Sequence, residues 1–146
     1  MNVEGQFHSR DLYSRIAAHL MDELEDEMEL EEFSPTAIPQ LVGHFVAHID
    51  NFGNIKSLVR QSYFKGKFEF GDSVSITING VTQKAKYVTN LFGGEPGELV
   101  IYPGSSGKFS DCYLEVSVWR HFTENNPTTG SHAFNHPKPG MEIKIS

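Results

Sequence analysis

The sequence predicts an α+β, mostly β protein. An N-terminal helical arm with an acidic linker covers residues 1–39, and a small seven-stranded antiparallel barrel-like domain covers residues 40–146. Three observations carry this. Apolar residues recur every three to four positions before Pro35 and Pro39, and every two positions after them. An Asn-Gly pair, Asn79-Gly80, joins two alternating runs, the strongest short-range hairpin signal. Aromatic residues reach 12% and glycines number 13, a composition that favours strands linked by tight turns.

The arm comes first. From Arg10 to Met28, Leu12, Tyr13, Ile16, Ala17, Leu20, Met21 and Leu24 fall on one face of a helix. Ser9 is placed to cap its start, and Asp11 to complement the positive helix pole. The acidic run from Asp22 to Glu32 reads as a solvated helix end and linker, with a site for a cation or basic partner as the alternative. Pro35 and Pro39 end any helix. Strands are then expected over 42–49, 55–59, 73–78, 81–88, 98–102, 113–119 and 141–145. The polar segment 121–140, with Pro127, Pro137 and Pro139, is expected to be a functional or mobile loop without regular structure.

Composition bounds the function. With 146 residues the chain is one domain, or one domain with an arm, and can bury a core without a metal or disulfide. The single Cys112 cannot pair internally, which fits a reducing compartment. The first residues carry neither a basic region nor an apolar core, so no secretory signal is read there, and a cytoplasmic location is expected. No apolar run approaches the length of a membrane span, so no membrane partner is expected. A formal charge of −7 disfavours a nucleic-acid partner, which requires clustered Lys and Arg.

The turn Asp50-Asn51-Phe52-Gly53-Asn54 is the most informative motif. Gly53 allows positive φ or a close backbone approach. An exposed Phe52 can stack on a flat heterocycle, and the Asn54 amide offers a donor beside an acceptor, matching an adenine edge. The other reading is a β-turn with a buried Phe and a structural Asn. His44 and His48 share one strand face by spacing, and His132 and His136 repeat that spacing; without further ligands neither pair forms a metal site, and no metal is expected. Ser105-Ser106 lacks the strand–elbow–helix context of a nucleophile. Phe45, Phe68, Phe70, Phe109 and Tyr113 read as core or rim aromatics.

The strand leading to Ile49-Asp50, followed by Phe52-Gly53-Asn54, resembles the C-terminal domain of the S-adenosyl-L-methionine hydroxide adenosyltransferases, the adenosine-forming S-adenosylmethionine hydrolases related to the fluorinases and chlorinases. Further segments agree in order: Phe70-Gly71-Asp72 before Ile78-Asn79-Gly80, Gly97 to Tyr102 before Gly104-Ser105-Ser106-Gly107, Tyr113 to Val118, and Gly140 to Ile143. Phe7-His8-Ser9-Arg10-Asp11, with Ala17-Ala18 and Leu20 after it, resembles the end of the family's first domain. Asn51 stands where the family has Arg, Gly104 where it has Asn, Ser9 where it has Gly and Arg15 where it has Pro. Trp119-Arg120-His121-Phe122 replaces the family's small-residue stretch.

The resemblance implies water attack at the ribose C5′ of S-adenosylmethionine, giving adenosine and methionine, with positioning and desolvation as the protein's task. It implies that Phe52, Asn54 and Ser105 bind the adenosine of a substrate held between subunits of a trimer, that Asp50 and Gly53 shape the turn, and that His8 matches a water-activating position. No cofactor is implied beyond S-adenosylmethionine or adenosine as ligand. The family's larger α/β domain, which precedes Phe7, has no counterpart in these residues. The chain is therefore expected to be inactive alone, its site completed by a separate α/β catalytic chain; the alternatives are a non-catalytic binding or oligomerisation module derived from the domain, and an unrelated binding barrel.

Overall fold

The 3.6-residue period of the arm produces a helix shorter than the sequence predicts. The structure is a computed structural model that describes residues 12–28, 34, 36, 42–120 and 128–146. The chain divides into two units, Met1–Gln40 and Leu41–Ser146. In the first, helix α1 spans Ser14–Met21 and ends before the expected Met28, while Arg10 lies outside the described residues. Asp22 N–H closes it on the Ala18 carbonyl, Glu23 turns to φ +57°, and a 3₁₀ turn occupies Glu25–Met28. The cause is electrostatic: carboxylates crowd the negative pole of the helix and repel one another along the next turn. No α1 residue is buried, and Tyr13, Leu20 and Met21 are exposed. Ser9 and Asp11, read as the start of the helix, lie outside the described residues.

In the second unit the alternating segments form seven strands: β1 Val46–Ile49, β2 Ile55–Arg60, β3 Ser73–Ile78, β4 Val81–Tyr87, β5 Leu99–Lys108, β6 Asp111–Val118 and β7 Ile143–Ile145. They make one sheet in the order β1-β2-β6-β5-β4-β3-β7. The two edges approach each other. Phe45 bridges to Glu142, Val46 N–H donates to the Met141 carbonyl at 2.8 Å, and Ile143 N–H donates to the His44 carbonyl at 2.8 Å. The sheet is thus a nearly closed barrel.

It is mixed, not purely antiparallel. β4 and β5 run parallel through Lys86↔Val100 and Tyr87↔Ile101. The pairing is short, and the segment 88–98 brings the start of β5 alongside the end of β4. The Asn79-Gly80 turn forms as expected, with φ of +53° and +74°, and sets the register Ile78↔Val81. β5 runs further than the sequence indicates, through Pro103 and Gly104 to a hairpin with β6. Pro103 lies beyond the two residues paired with β4, where a missing N–H costs nothing. β1 is shorter than expected because Gly43, at φ +111°, bends the chain before it.

The barrel interior holds Val46, Ile55, Phe64, Ile76, Ile101 and Val116, among others. Val88, Val100 and Tyr102 form a second, smaller cluster with Leu91. Strand alternation explains the division: Val100 and Tyr102 point away from the face that Ile101 buries. The segment expected to be a structureless loop contributes to the main core. Its described part, 128–140, contains a short helix α2, Gly130–Ala133, and Phe134 beside it is completely buried. Phe109, read as a core or rim aromatic, is instead fully exposed at the β5–β6 hairpin tip.

Phe134→Ala is expected to lower unfolding free energy by about 3–5 kcal/mol, the usual result of emptying a buried aromatic site. Urea unfolding reads it as a lowered midpoint; a loss under ~1 kcal/mol would show that this segment does not belong to the core.

Candidate functional site

The turn between β1 and β2 is built around one carboxylate. Asp50 Oδ1 accepts the backbone N–H groups of Phe52 and Asn54, each at 2.9 Å. Its Oδ2 accepts the Asn54 side-chain N–H at 2.9 Å. The Gly53 N–H closes the turn on the Asp50 carbonyl at 2.9 Å. Such charge-assisted bonds hold a short turn rigidly, and they leave Phe52 exposed at its tip. Asn51 is exposed beside it.

A second layer supports the turn from behind. Gly53 has φ +79°, and a Cβ there would overlap the Thr129 side chain. Its carbonyl accepts the Ser131 N–H at 2.9 Å. Thr129 caps α2 by accepting the His132 N–H. Gly130 lets α2 approach β6, since a Cβ there would stand 2.6 Å from the Val116 carbonyl. Two glycines therefore allow turn, helix and strand to touch through their backbones.

Phe52 and Asn54 open onto one cleft of about 240 Å³, shared with Phe92, Ser117, Trp119 and Arg120. The Phe92 and Trp119 rings meet edge to face at 5.2 Å. Asn90 sets the position of Phe92 by accepting its backbone N–H at 2.9 Å. At the polar end, the Ser117 hydroxyl donates to Asn54 Oδ1. With Asp50 on its other side, the Asn54 amide retains one N–H and one acceptor lone pair among the described residues. The cleft can thus offer aromatic faces and a limited hydrogen-bonding edge. A larger, more open hollow of about 400 Å³ lies beside Phe64, Phe68 and Phe70 and contains none of the site residues expected from sequence.

Ser105 is not part of this cleft. It is exposed, and its backbone N–H donates to Glu115 Oε1 at 3.2 Å. The buried Glu115 also accepts from Lys56 Nζ at 2.8 Å and, through Oε2, from the Tyr102 hydroxyl at 3.3 Å. That network explains Gly104: a Cβ at this position would overlap the Glu115 carboxylate. The network continues the row of Asn54 and Ser117, since Lys56 faces Glu115 and Ile55 faces Val116 across β2 and β6.

His8 lies outside the described residues. His44 and His48 do not share a strand face. His44 precedes β1 and packs its ring edge against Tyr63 at 4.3 Å, and the register of β1 slips between Val46 and His48. His132 and His136 do meet, ring to ring at 4.4 Å. Their Nδ1 atoms lie 2.9 Å from the Thr129 hydroxyl and 3.4 Å from the Ser131 hydroxyl, respectively. Among the described residues, no three His, Cys, Asp or Glu side chains gather as a metal site.

Residues 44–119, which include the turn, the cleft wall and the Glu115 network, match the family model of the SAM hydroxide adenosyltransferase C-terminal domain. The chain belongs to this family. Two solved structures resemble it. An uncharacterized conserved protein from Thermotoga maritima is 25% identical with a TM-score of 0.60, the match covering 97% of this chain and 52% of that one. A conserved hypothetical protein from Thermus thermophilus is 21% identical with a TM-score of 0.51, covering 97% and 53%; at that identity it attests the fold alone. The chain spans about half the length of both. No curated protein matches it.

Within this SAM hydroxide adenosyltransferase domain, three elements were not legible as site components. Phe92 carried only a weak signal, an apolar residue inside the turn-rich stretch 89–94. Ser117 is one of several strand residues, and only its pairing with Asn54 distinguishes it. Thr129 supports the turn from 76 positions away in the sequence, since 129 − 53 = 76.

Asp50→Ala removes three accepted hydrogen bonds, one charge centre serving all of them. Stability is expected to fall by about 1.5–3 kcal/mol in chemical denaturation, with Asp50→Asn losing less. A loss under ~0.5 kcal/mol would mean that the turn closes without the carboxylate. The Glu115 network also makes stability depend on pH. Burial, then the neighbouring Glu115 charge, pushes the Tyr102 hydroxyl well above its ordinary value of 10.0. A folded value raised above the unfolded one gives stabilisation that is complete below the unfolded value. It declines above that value as the unfolded chain ionises, and is fully lost once pH passes the folded value. Stability is therefore expected to fall as pH rises beyond about 10, and Tyr102→Phe to flatten that part of the profile. An unchanged slope in the variant would exclude Tyr102 as its source.

Proposed function

We propose that the β-domain supplies the adenosine side of a SAM hydroxide adenosyltransferase site. Phe52 stacks on the adenine, and the remaining donor and acceptor of Asn54 meet its edge. An α/β domain of the kind the family carries completes the site by holding the methionine end and the attacking water, in the trimeric arrangement that the resemblance implies. The observation that carries this reading is the shared cleft of Phe52 and Asn54, within the residues that match the family model.

The chemistry divides accordingly. Attack of water forms the C5′–O bond as the C5′–S bond breaks; methionine leaves as a neutral thioether from a sulfonium, so no acid is needed for the leaving group, and the water's proton passes to solvent. The β-domain contributes by fixing the adenosine and excluding solvent from one side, which lowers the entropic part of the barrier. The apolar character of Phe52, Phe92 and Trp119 suits that task. Ser105 stands apart from the cleft, its backbone N–H held by Glu115, and has no part in this reading of the β-domain alone.

A second reading, a binding or oligomerisation module without chemistry, draws on a specific observation: Asn54 already bonds Asp50 and Ser117 within the domain. The two readings separate by experiment. Calorimetry should show adenosine binding to the chain. Phe52 is largely exposed, so Phe52→Ala should stay folded and weaken binding by roughly 1–3 kcal/mol. Unchanged affinity in the folded variant would remove the site assignment. S-adenosylmethionine hydrolysis is expected only after a matching α/β domain is added; adenosine release by the chain alone would overturn the division of labour.

A further inference from the structure

We infer that the tip of the β5–β6 hairpin docks into the aromatic hollow of a second copy of this chain, reciprocally, about a two-fold axis. The inference is independent of the adenosine reading, since hollow and cleft share no residue. Phe109 at the hairpin tip is 106% exposed. Scattered exposed apolar residues are ordinary, but this one sits on a fixed support. Lys108 and Asp111 pair across the hairpin, so Phe109 and Ser110 alone make the turn. Asp111 Oδ1 accepts the Ser62 N–H at 2.9 Å, and its Oδ2 lies 3.1 Å from the Ser62 hydroxyl that donates to it. Arg60 stands 3.6 Å from Asp111 Oδ2, and the Cys112 thiol donates to Gln61 Oε1 at 3.5 Å. These contacts pin the hairpin to the 60–62 segment while the ring stays in water. A ring held in place loses little freedom on docking.

The hollow begins beside that tip. Ser110 lines it, as do Gln61 and Ser62, the residues to which the hairpin is pinned. Its apolar surface comes from Phe64 and Tyr87, with rings 4.8 Å apart, from Phe68 at 4.9 Å from Phe64, and from the half-exposed Phe70 at 4.5 Å from Tyr87. The volume is about 400 Å³, and a cavity of about 150 Å³ already takes a benzene ring. The chain's own Phe109 does not fill it, because that ring is fully exposed. A protruding ring next to a hollow on one surface is self-complementary. Half a turn about an axis between them carries each ring into the other copy's hollow, an isologous contact made twice. Charge agrees with this pairing. Lys108 flanks the ring and Glu69 lines the hollow, so the rotation brings Lys108 of one copy to Glu69 of the other. Lys65 lines the hollow too, and the match in sign rests on Glu69.

Analytical ultracentrifugation of the full chain tests this. Pairing is expected with a dissociation constant below about 100 μM. Phe109→Ala removes a fully exposed ring and leaves the core intact. It should weaken pairing at least about tenfold, because both contacts of the pair lose their ring, and so halve the mass of the assembly. Lys108→Glu and Glu69→Lys, both at exposed positions, should each weaken pairing about three- to tenfold, and the double variant should restore it. A wild-type chain that does not pair at this concentration would overturn the inference. So would a mass that Phe109→Ala leaves unchanged or reduces by a factor other than two. A double charge variant no tighter than the single variants would overturn the docking of the tip into the hollow.

Discussion

The site depends on the Asp50 carboxylate. A five-residue connection between antiparallel strands has several conformations open to it, and chain entropy favours none of them strongly. Three N–H groups converging on one carboxylate select a single conformation. That conformation sends Phe52 into solvent, brings Asn54 back against β6, and turns Gly53 toward α2. Phe52 and Asn54, the turn's share of the cleft, take their places from it.

Close backbone approach is the second constraint, and it recurs. Gly53 leaves space for Thr129, Gly130 for the Val116 carbonyl, and Gly104 for the Glu115 carboxylate. Each glycine answers to a partner distant in sequence. Gly104 is instructive, because its departure from the family's Asn looks, on the sequence, like a lost ligand contact. In the structure it is the condition for a buried carboxylate that pairs with Lys56 and Tyr102. Buried charge of this kind is tolerated only when its hydrogen bonds are made, and Glu115 makes three.

The β2–β6–β5 part of the sheet therefore has two different faces. One is the apolar interior of the barrel. The other carries a row from Asn54 and Ser117 to Lys56 and Glu115, ending in the aromatic cleft at one side. A domain with one polar, structured outer face is suited to be half of a composite site. Its interior supplies stability, and its outer face can change with little effect on the fold. Trp119 and Phe92 illustrate this: they line the cleft without entering the core clusters.

Much of this was legible in the linear pattern. Period-two alternation located the strands, because burial of one sheet face demands it, and Asn79-Gly80 set its hairpin, because positive φ at both positions is a local property. The turn at Asp50 and its resemblance to the SAM hydroxide adenosyltransferases were also present in the order of residues. Other features were not. The end of α1 came from charge crowding that outweighed helix periodicity. The parallel β4–β5 pair, the docking of α2 through Phe134, and the meeting of Asn54 with Ser117 and of Gly53 with Thr129 are contacts between distant segments. The sequence by itself determined which residues alternate and turn, since those are local preferences of the backbone. Only the tertiary structure decided which of them share a cleft, because that follows from how the sheet closes and what packs against it.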